Sequence, residues 1–119
     1  MAEVVVADGK GLRFSKGKVR WDLLPPDALL EVAKVYTKGA EKYAARNWER
    51  GMKWGECLRA LKSHLNKWEL GQANDDEYPE LYNMAMVVWN GLALLSYELR
   101  KIGEDDRPTF KDTSAVSEV

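Results

Sequence analysis

Glu69, Asp75, Asp76, Glu77 and Glu80 fall within twelve consecutive positions of the stretch HLNKWELGQANDDEYPELYN. Carboxylates brought this close repel one another unless cations neutralise them, and their oxygens suit hard divalent ions such as Mg²⁺. A cation cluster can bind phosphate oxygens and lower the pKa of a water, so the spacing points to hydrolysis of a phosphate ester or anhydride. A plainer reading competes with it: acids beside a helix start are favourable through capping and the helix dipole alone. On spacing alone, the solvated capping turn is the stronger of the two.

Three helices would have to position these acids. Pro25, Pro26 and Asp27 mark the start of the first, which runs to about Tyr43 with Leu29, Leu30, Val32, Ala33, Tyr36 and Ala40 on its apolar face. A loop, AARNWERGMKWG, follows. The second helix begins near Trp54 and stops at Gly71, with a core stripe of Leu58, Leu61, Leu65 and Trp68. The third is expected from about Pro79 to Ile102, closed by Gly103, so that Glu77, Glu80 and Asn83 stack on one face. Antiparallel packing across the 72–78 turn would bring Glu69 beside them. Leu81, Ala85, Val88, Leu92, Leu95 and Leu99 form one stripe of this helix, and Met84, Met86, Val87, Trp89 and Leu94 make most of the rest apolar. A helix apolar nearly all round must be covered on several sides, which points to a subunit interface.

Composition bounds the rest. The 119 residues suit one domain, and a formal charge of −1 gives no general excess of positive charge for a nucleic-acid partner. One cysteine, Cys57, allows no internal disulfide; together with the absence of an export signal or a membrane-length apolar run, this gives a cytoplasmic expectation with no membrane partner. Residues 1–24 read as a basic glycine-rich arm, mostly irregular, with room for a short strand at Val4–Val6. Its GLRFSKGK lacks the spacing of a Walker loop. Residues 25–103 form the helical domain, and the polar stretch 104–119 reads as a flexible tail.

Other residues have two readings each. His64, the single histidine, lies beside the Leu61/Leu65 stripe and reads first as a packed or capping imidazole, second as a site residue. Lys38, Lys42 and Lys67 can each neutralise a triphosphate oxygen or sit on a solvated helix face, the latter favoured for Lys38. Trp48 can stack on a purine while Asn47 reads its edge, or Trp48 simply pins the loop. Lys18 and Arg20 of the arm can cover a triphosphate or serve as solubilising charge. Trp68, Trp89 and Cys57 read as core.

The segments GKVRWDLLPPDALLEVAKVYTKGAEKY, NWERG and ALKSHLNKWELGQANDDE occur in the order in which they resemble the phage dATP/dGTP diphosphohydrolase family. That family is similar to the all-α nucleoside triphosphate pyrophosphohydrolases of the MazG and dimeric dUTPase type, and the likeness spans about residues 16–99. It implies an all-α, antiparallel helical bundle completed by oligomerisation to a homodimer or homotetramer. Within the family the chain looks most like the MazZ type. The implied reaction there is dGTP to dGMP and pyrophosphate, supplying dGMP for phage 2-aminoadenine nucleotide synthesis, with two or three Mg²⁺ or Mn²⁺ ions. The superfamily's E-x-x-E and E-x-x-D pairs are altered here: Asn83 follows Glu80, and Asn66 and Gln72 flank Glu69.

Residue reading and resemblance together give a candidate site. Glu69, Asp76, Glu77 and Glu80 would hold metal, and Glu69, Glu80 and Lys67 would serve catalysis. Lys18, Arg20, Lys42, Asn47, Trp48, His64 and Asn83 would contact a purine deoxynucleoside triphosphate. A non-catalytic nucleotide-binding regulator and a helical adaptor are the alternatives.

Overall fold

The structure, a computed structural model, describes residues 4–6, 11–14 and 16–108. Its core is three helices: α1 (Pro26–Lys42), α2 (Trp54–Glu69) and α3 (Asn83–Arg100). Ahead of them β1 (Val4–Val6) pairs antiparallel with β2 (Leu12–Phe14), Val4 opposite Phe14, so the arm contains a two-stranded hairpin where at most one strand was expected.

Pro26 opens α1 with its φ already suited to a helix, and Asp27 accepts the Ala28 N–H at 2.8 Å. The buried face of α1 is Val32 and Val35, while Leu29 and Leu30, expected in the core, are exposed. Val32 and Val35 pack with Leu81 and Ala85 to form one half of the core, extended by Tyr36, Tyr78, Met86 and Trp89. The other half joins α2 to α3 through Cys57, Ala93 and Tyr97, with Trp48, Trp54 and Trp89 packed against them. Trp89 belongs to both halves and links them. Of the apolar stripe assigned to α2, Leu58, Leu61 and Leu65 are half-buried and Trp68 is 49% exposed, while Cys57 is the buried residue.

On α3 the buried positions are Asn83, Ala85, Asn90, Ala93 and Tyr97. Of the expected stripe, Leu81 and Ala85 are buried, while Val88, Leu92, Leu95 and Leu99 lie exposed on another face. Small side chains explain the choice: Ala85 and Ala93 let α1 and α2 approach α3 closely, which the leucine face would not. The helix also begins later than Pro79. Asp75 N–H donates to the Leu81 carbonyl (2.9 Å) and Asn83 N–H to that of Ala73 (2.8 Å), pairing 73–75 with 81–83 around an isolated Asn74–Tyr82 bridge. Those bonds take residues 79–82 out of any helix.

The start of the tail is ordered onto α2. Trp54 N–H donates to the Glu104 carbonyl (2.9 Å), Trp54 Nε1 to that of Ile102 (3.0 Å), and Gly55 N–H to Asp106 Oδ1 (2.7 Å). A carboxylate from the far end of the chain thus satisfies an orphan donor in the first turn of α2. Residues 109–119 of the expected flexible tail lie outside the described residues. No described helix is long and apolar enough to cross a membrane.

Gly103 holds this junction. Its φ is +79°, and a Cβ there would lie 2.5 Å from the Met52 carbonyl oxygen. Gly103→Ala is therefore expected to cost about 2 kcal/mol or more of folding stability, read as a lower midpoint in urea denaturation. An unchanged midpoint would contradict the packing described.

Candidate active site

A cleft of about 860 Å³ opens between α1 and α2 with α3 as its floor. The floor is apolar and aromatic: Tyr36, Trp89, Met86 and Cys57, with Trp48 at one end. Trp48 meets Tyr36 edge-on at 5.9 Å and Trp89 at 6.4 Å between ring centroids. Four cations line the same cleft, Lys38, Lys42, Arg46 and Arg59, against the single carboxylate of Glu56. Three of these cations are ion-paired, Lys38 with Glu80 and Glu41, Arg46 with Glu49 and Arg59 with Glu56, so Lys42 is the cleft cation that makes no ion pair among the described residues. An aromatic floor beside such cations suits a ligand with a ring at one part and anionic groups at another.

The 44–51 loop that carries Asn47 and Trp48 is held in an uncommon backbone. Ala44 has φ 145° and Arg46 φ 61°, ahead of a short 3₁₀ turn over Asn47–Arg50. Two contacts from α3 secure it. The Tyr97 hydroxyl donates to the Trp48 carbonyl at 2.6 Å, and Arg100 reaches Glu49 at 2.9 Å. Arg100 and then Arg46 hold the Glu49 carboxyl below the usual range, so this pairing is present at neutral pH and is lost as the acid is protonated. Burial pushes the Tyr97 phenol up to about 12.

Lys42 lies in the cleft over the rings of Tyr43 (5.3 Å) and Tyr78 (5.7 Å). The Tyr43 hydroxyl foremost, then Tyr78 and Glu77, raise its pKa, so it is firmly cationic. Lys38 sits 4.9 Å over Tyr78 and pairs with Glu80 at 3.4 Å and Glu41 at 3.7 Å. It also lines the cleft. Lys42, Asn47 and Trp48 line the cleft, whereas His64 and Asn83, grouped with them in the sequence reading, do not; Trp48 both pins its loop and forms a wall. Lys18 and Arg20 do not line it; both are exposed, and Arg20 clasps Asp22 at 2.8 and 2.7 Å.

The acids lie differently from the helical stack expected of them. Glu77 and Glu80 are exposed on the 75–82 loop, not on α3, because Asp75 Oδ2 accepts the N–H groups of Glu77 (3.1 Å) and Tyr78 (2.9 Å) and folds the chain back. Asp76 accepts Gln72 Nε2 at 2.6 Å and pairs with Lys67 at 3.3 Å. Glu69 is exposed at the end of α2. Among the described residues, no three acidic, histidine or cysteine side chains converge on a point where a metal could sit. As arranged in one chain, Glu69, Asp76, Glu77 and Glu80 do not fit a two- or three-ion cluster.

Asn83 is fully buried and holds this region together. Its Nδ2 donates to the Gln72 carbonyl (3.0 Å) and the Asn74 carbonyl (2.9 Å), and its Oδ1 faces His64 Nδ1 at 2.8 Å. Asp75 Oδ1 lies 3.7 Å from the same His64 nitrogen. The residue reading missed Tyr78, Arg46, Arg59 and Asn90 as cleft residues. Periodicity could have shown Arg59 and Ala60 on the α2 face away from the leucines, but nothing local marks Arg46 or Tyr78.

The described fold is mostly α-helical, and its cleft has an aromatic floor with cationic side chains along it. The family is settled by likeness in sequence. Residues 8–107 match the family model described as dATP/dGTP diphosphohydrolase, N-terminal, and the chain belongs to that family. It is 37% identical over 102 residues to the dATP/dGTP diphosphohydrolase of Salmonella phage PMBT28, an alignment covering 86% of this chain and 32% of that protein. The chain thus spans about a third of the length of that relative. No solved structure matches it.

Tyr97→Phe leaves the Trp48 carbonyl without its donor and is expected to cost about 1–3 kcal/mol at neutral pH. The wild-type phenol stays neutral in the fold up to about 12, against about 10 unfolded. Its stabilising contribution is therefore intact below pH ~10 and is lost as pH rises from there to ~12. Denaturation midpoints of the two proteins should converge across that window; parallel curves would refute the assignment.

Proposed function

We propose that this chain binds a purine deoxynucleoside triphosphate in the α1–α2–α3 cleft and hydrolyses it to the monophosphate and pyrophosphate. The observation that carries this reading is the pairing, in one cleft, of an aromatic floor with Lys38, Lys42, Arg46 and Arg59. At about 860 Å³ the cleft falls within the ~300–1,000 Å³ usual for small-molecule sites. The ring would lie toward Trp48 and Asn47, and the phosphates toward Lys38 and Lys42 over Tyr78. Lysine ammonium groups suit phosphate oxygens as compact point charges. The name of the phage relative supports dATP and dGTP as the substrates to try. We favour dGTP, with the product dGMP feeding phage 2-aminoadenine nucleotide synthesis.

Dependence on Mg²⁺ or Mn²⁺ belongs to the same proposal. Glu69, Asp76, Glu77 and Glu80 are the oxygen donors nearest in sequence, but a single chain would have to rearrange for them to act together.

We further propose a homodimer or homotetramer. Val88, Leu92, Leu95 and Leu99 are exposed at helical spacing along α3, with Gly91 open beside them. A contiguous apolar stripe of this kind marks an interface. The same face meeting itself across a two-fold axis would cover it in both copies.

A panel of deoxynucleoside triphosphates with Mg²⁺, with Mn²⁺ and with chelator tests the activity by release of pyrophosphate and monophosphate. A regulator would bind without turnover, and an adaptor would do neither. Lys42→Ala is expected to raise KM or Kd for the nucleotide about tenfold, equivalent to ~1.4 kcal/mol, with the fold intact. An unchanged value would remove the phosphates from this part of the cleft.

Replacing Leu92 and Leu95 together by Asp should yield a monomer by light scattering. A wild-type chain that is already monomeric would end the oligomer proposal.

A further inference from the structure

Asn90 puts an amide into the apolar floor of the cleft, and the fold leaves half of that amide unused. It follows Trp89 on α3, lines the cleft together with Val35, Cys57 and Met86, and is only 5% exposed. Its Nδ2 donates to the Met86 carbonyl at 2.9 Å. A carbonyl can only accept, so the amide is fixed with its nitrogen toward Met86 and Oδ1 on the other side. That carbonyl already receives the helix's own bond from the Asn90 backbone N–H. The side-chain bond therefore orients the amide and satisfies no orphan group.

Oδ1 receives no hydrogen bond from any described residue. Every described side-chain oxygen that is closed to solvent has a partner, so Oδ1 keeps accessible surface, and the cleft is the cavity that Asn90 borders. A leucine of similar size would fill the floor with no polar atom to satisfy, whereas a nearly buried acceptor without a donor costs the fold stability. A ligand that brings a hydrogen-bond donor to the floor of the cleft recovers that cost.

The place of Asn90 along α3 says which part of a ligand arrives there. Asn83, Asn90 and Tyr97 recur at positions two turns apart, and all three lie on the buried stripe of the helix. Asn83 begins the helix beside the loop carrying Tyr78, over which Lys38 and Lys42 lie. Tyr97 stands at the other end, where its hydroxyl holds the Trp48 carbonyl. Asn90 is midway, about 10 Å of helix rise from each. A nucleotide with its phosphates toward Lys42 and its ring toward Trp48 passes its base across this level. The rings of Tyr36 and Trp89, 5.8 Å apart between centroids, belong to the same stretch of floor and suit a flat heterocycle, whose donors are N–H groups.

We infer that Asn90 Oδ1 accepts a hydrogen bond from an N–H on the edge of the base, and so selects bases that carry such a donor. This rests on the reading of the cleft as a nucleotide site. Adenine and guanine both offer exocyclic amino hydrogens. A purine ring with no N–H leaves the oxygen unpaired, and a site built around a hydrogen bond rejects the analogue that lacks it.

Deoxynucleoside monophosphates test this without turnover, since they are products of the proposed reaction. The better bound of dAMP and dGMP is expected to bind the wild type about tenfold or more tightly than the monophosphate of unsubstituted purine deoxyriboside, which has the same ring and no N–H. Asn90→Leu removes the oxygen at similar volume. It is expected to bring that ratio to about one, while the Kd for the unsubstituted purine stays near its wild-type value. A purely structural Asn90 would instead lower the melting temperature and weaken all three ligands alike. A ratio near one in the wild type, or a ratio that survives the substitution, overturns the inference. Should Asn90→Leu not fold, Asn90→Ala removes the same oxygen without adding bulk; the ratio is again expected to collapse, and its survival refutes the role. Pyrophosphate release from dGTP and dATP, followed in parallel, separates the two readings. Turnover with a wild-type ratio near one removes the role of Asn90 alone, and a chain that neither binds the monophosphates nor hydrolyses the triphosphates loses both.

Discussion

The arrangement of this protein depends on the buried amide of Asn83. Its two donors close the Gln72–Asn74 turn, its acceptor meets His64 on α2, and its own backbone begins α3. A fully buried polar side chain is tolerated only when its hydrogen-bonding groups are met, and here they are met by two separate pieces of chain, the 72–74 turn and α2. That one residue sets where α3 starts, which way the 75–82 loop turns and how the histidine ring is oriented. An apolar residue there would leave two carbonyls and an imidazole N–H without partners. Aspartate would keep the acceptor and lose both donors.

A second constraint acts at the other end of the cleft. Trp89 belongs to both halves of the core, and the Trp48 ring leans on it and on Tyr36 while the Trp48 carbonyl is held by Tyr97. The aromatic cluster thus supports the 3₁₀ turn and its Asn47 from below, and the left-handed Arg46 is carried at the rim. The cleft is consequently rigid where a ring would lie and flanked by long lysine and arginine side chains where charge would lie. Its character follows from α1 and α2 both packing on α3 while leaving a gap between them.

Much of this was legible from residues alone. The Pro25-Pro26-Asp27 start, the second helix, and the core placement of Cys57 and Trp89 all follow from local chemistry and periodicity. The helical acid stack did not survive, because Asp75 uses its carboxylate on the N–H groups of Glu77 and Tyr78 and the chain turns there instead of coiling. The α3 stripe held at Leu81 and Ala85 and failed from Val88 onward, for a different reason. With almost every position apolar, periodicity cannot choose a face, and steric fit on Ala85 and Ala93 decides it.

By itself the sequence determined an all-helical chain in three segments, its family, and a stretch rich in carboxylates next to a lone histidine. Only the tertiary structure decided which of these groups meet. Capping, turn residues and apolar spacing act over a few positions and can be read from their neighbours. The contacts of Asn83 with His64, of Tyr97 with Trp48, and of Asp106 with the start of α2 join residues 19, 49 and 51 positions apart or so, and no local preference encodes them. They form because closing the core buries those polar groups together, where each must find a partner or cost the fold its stability.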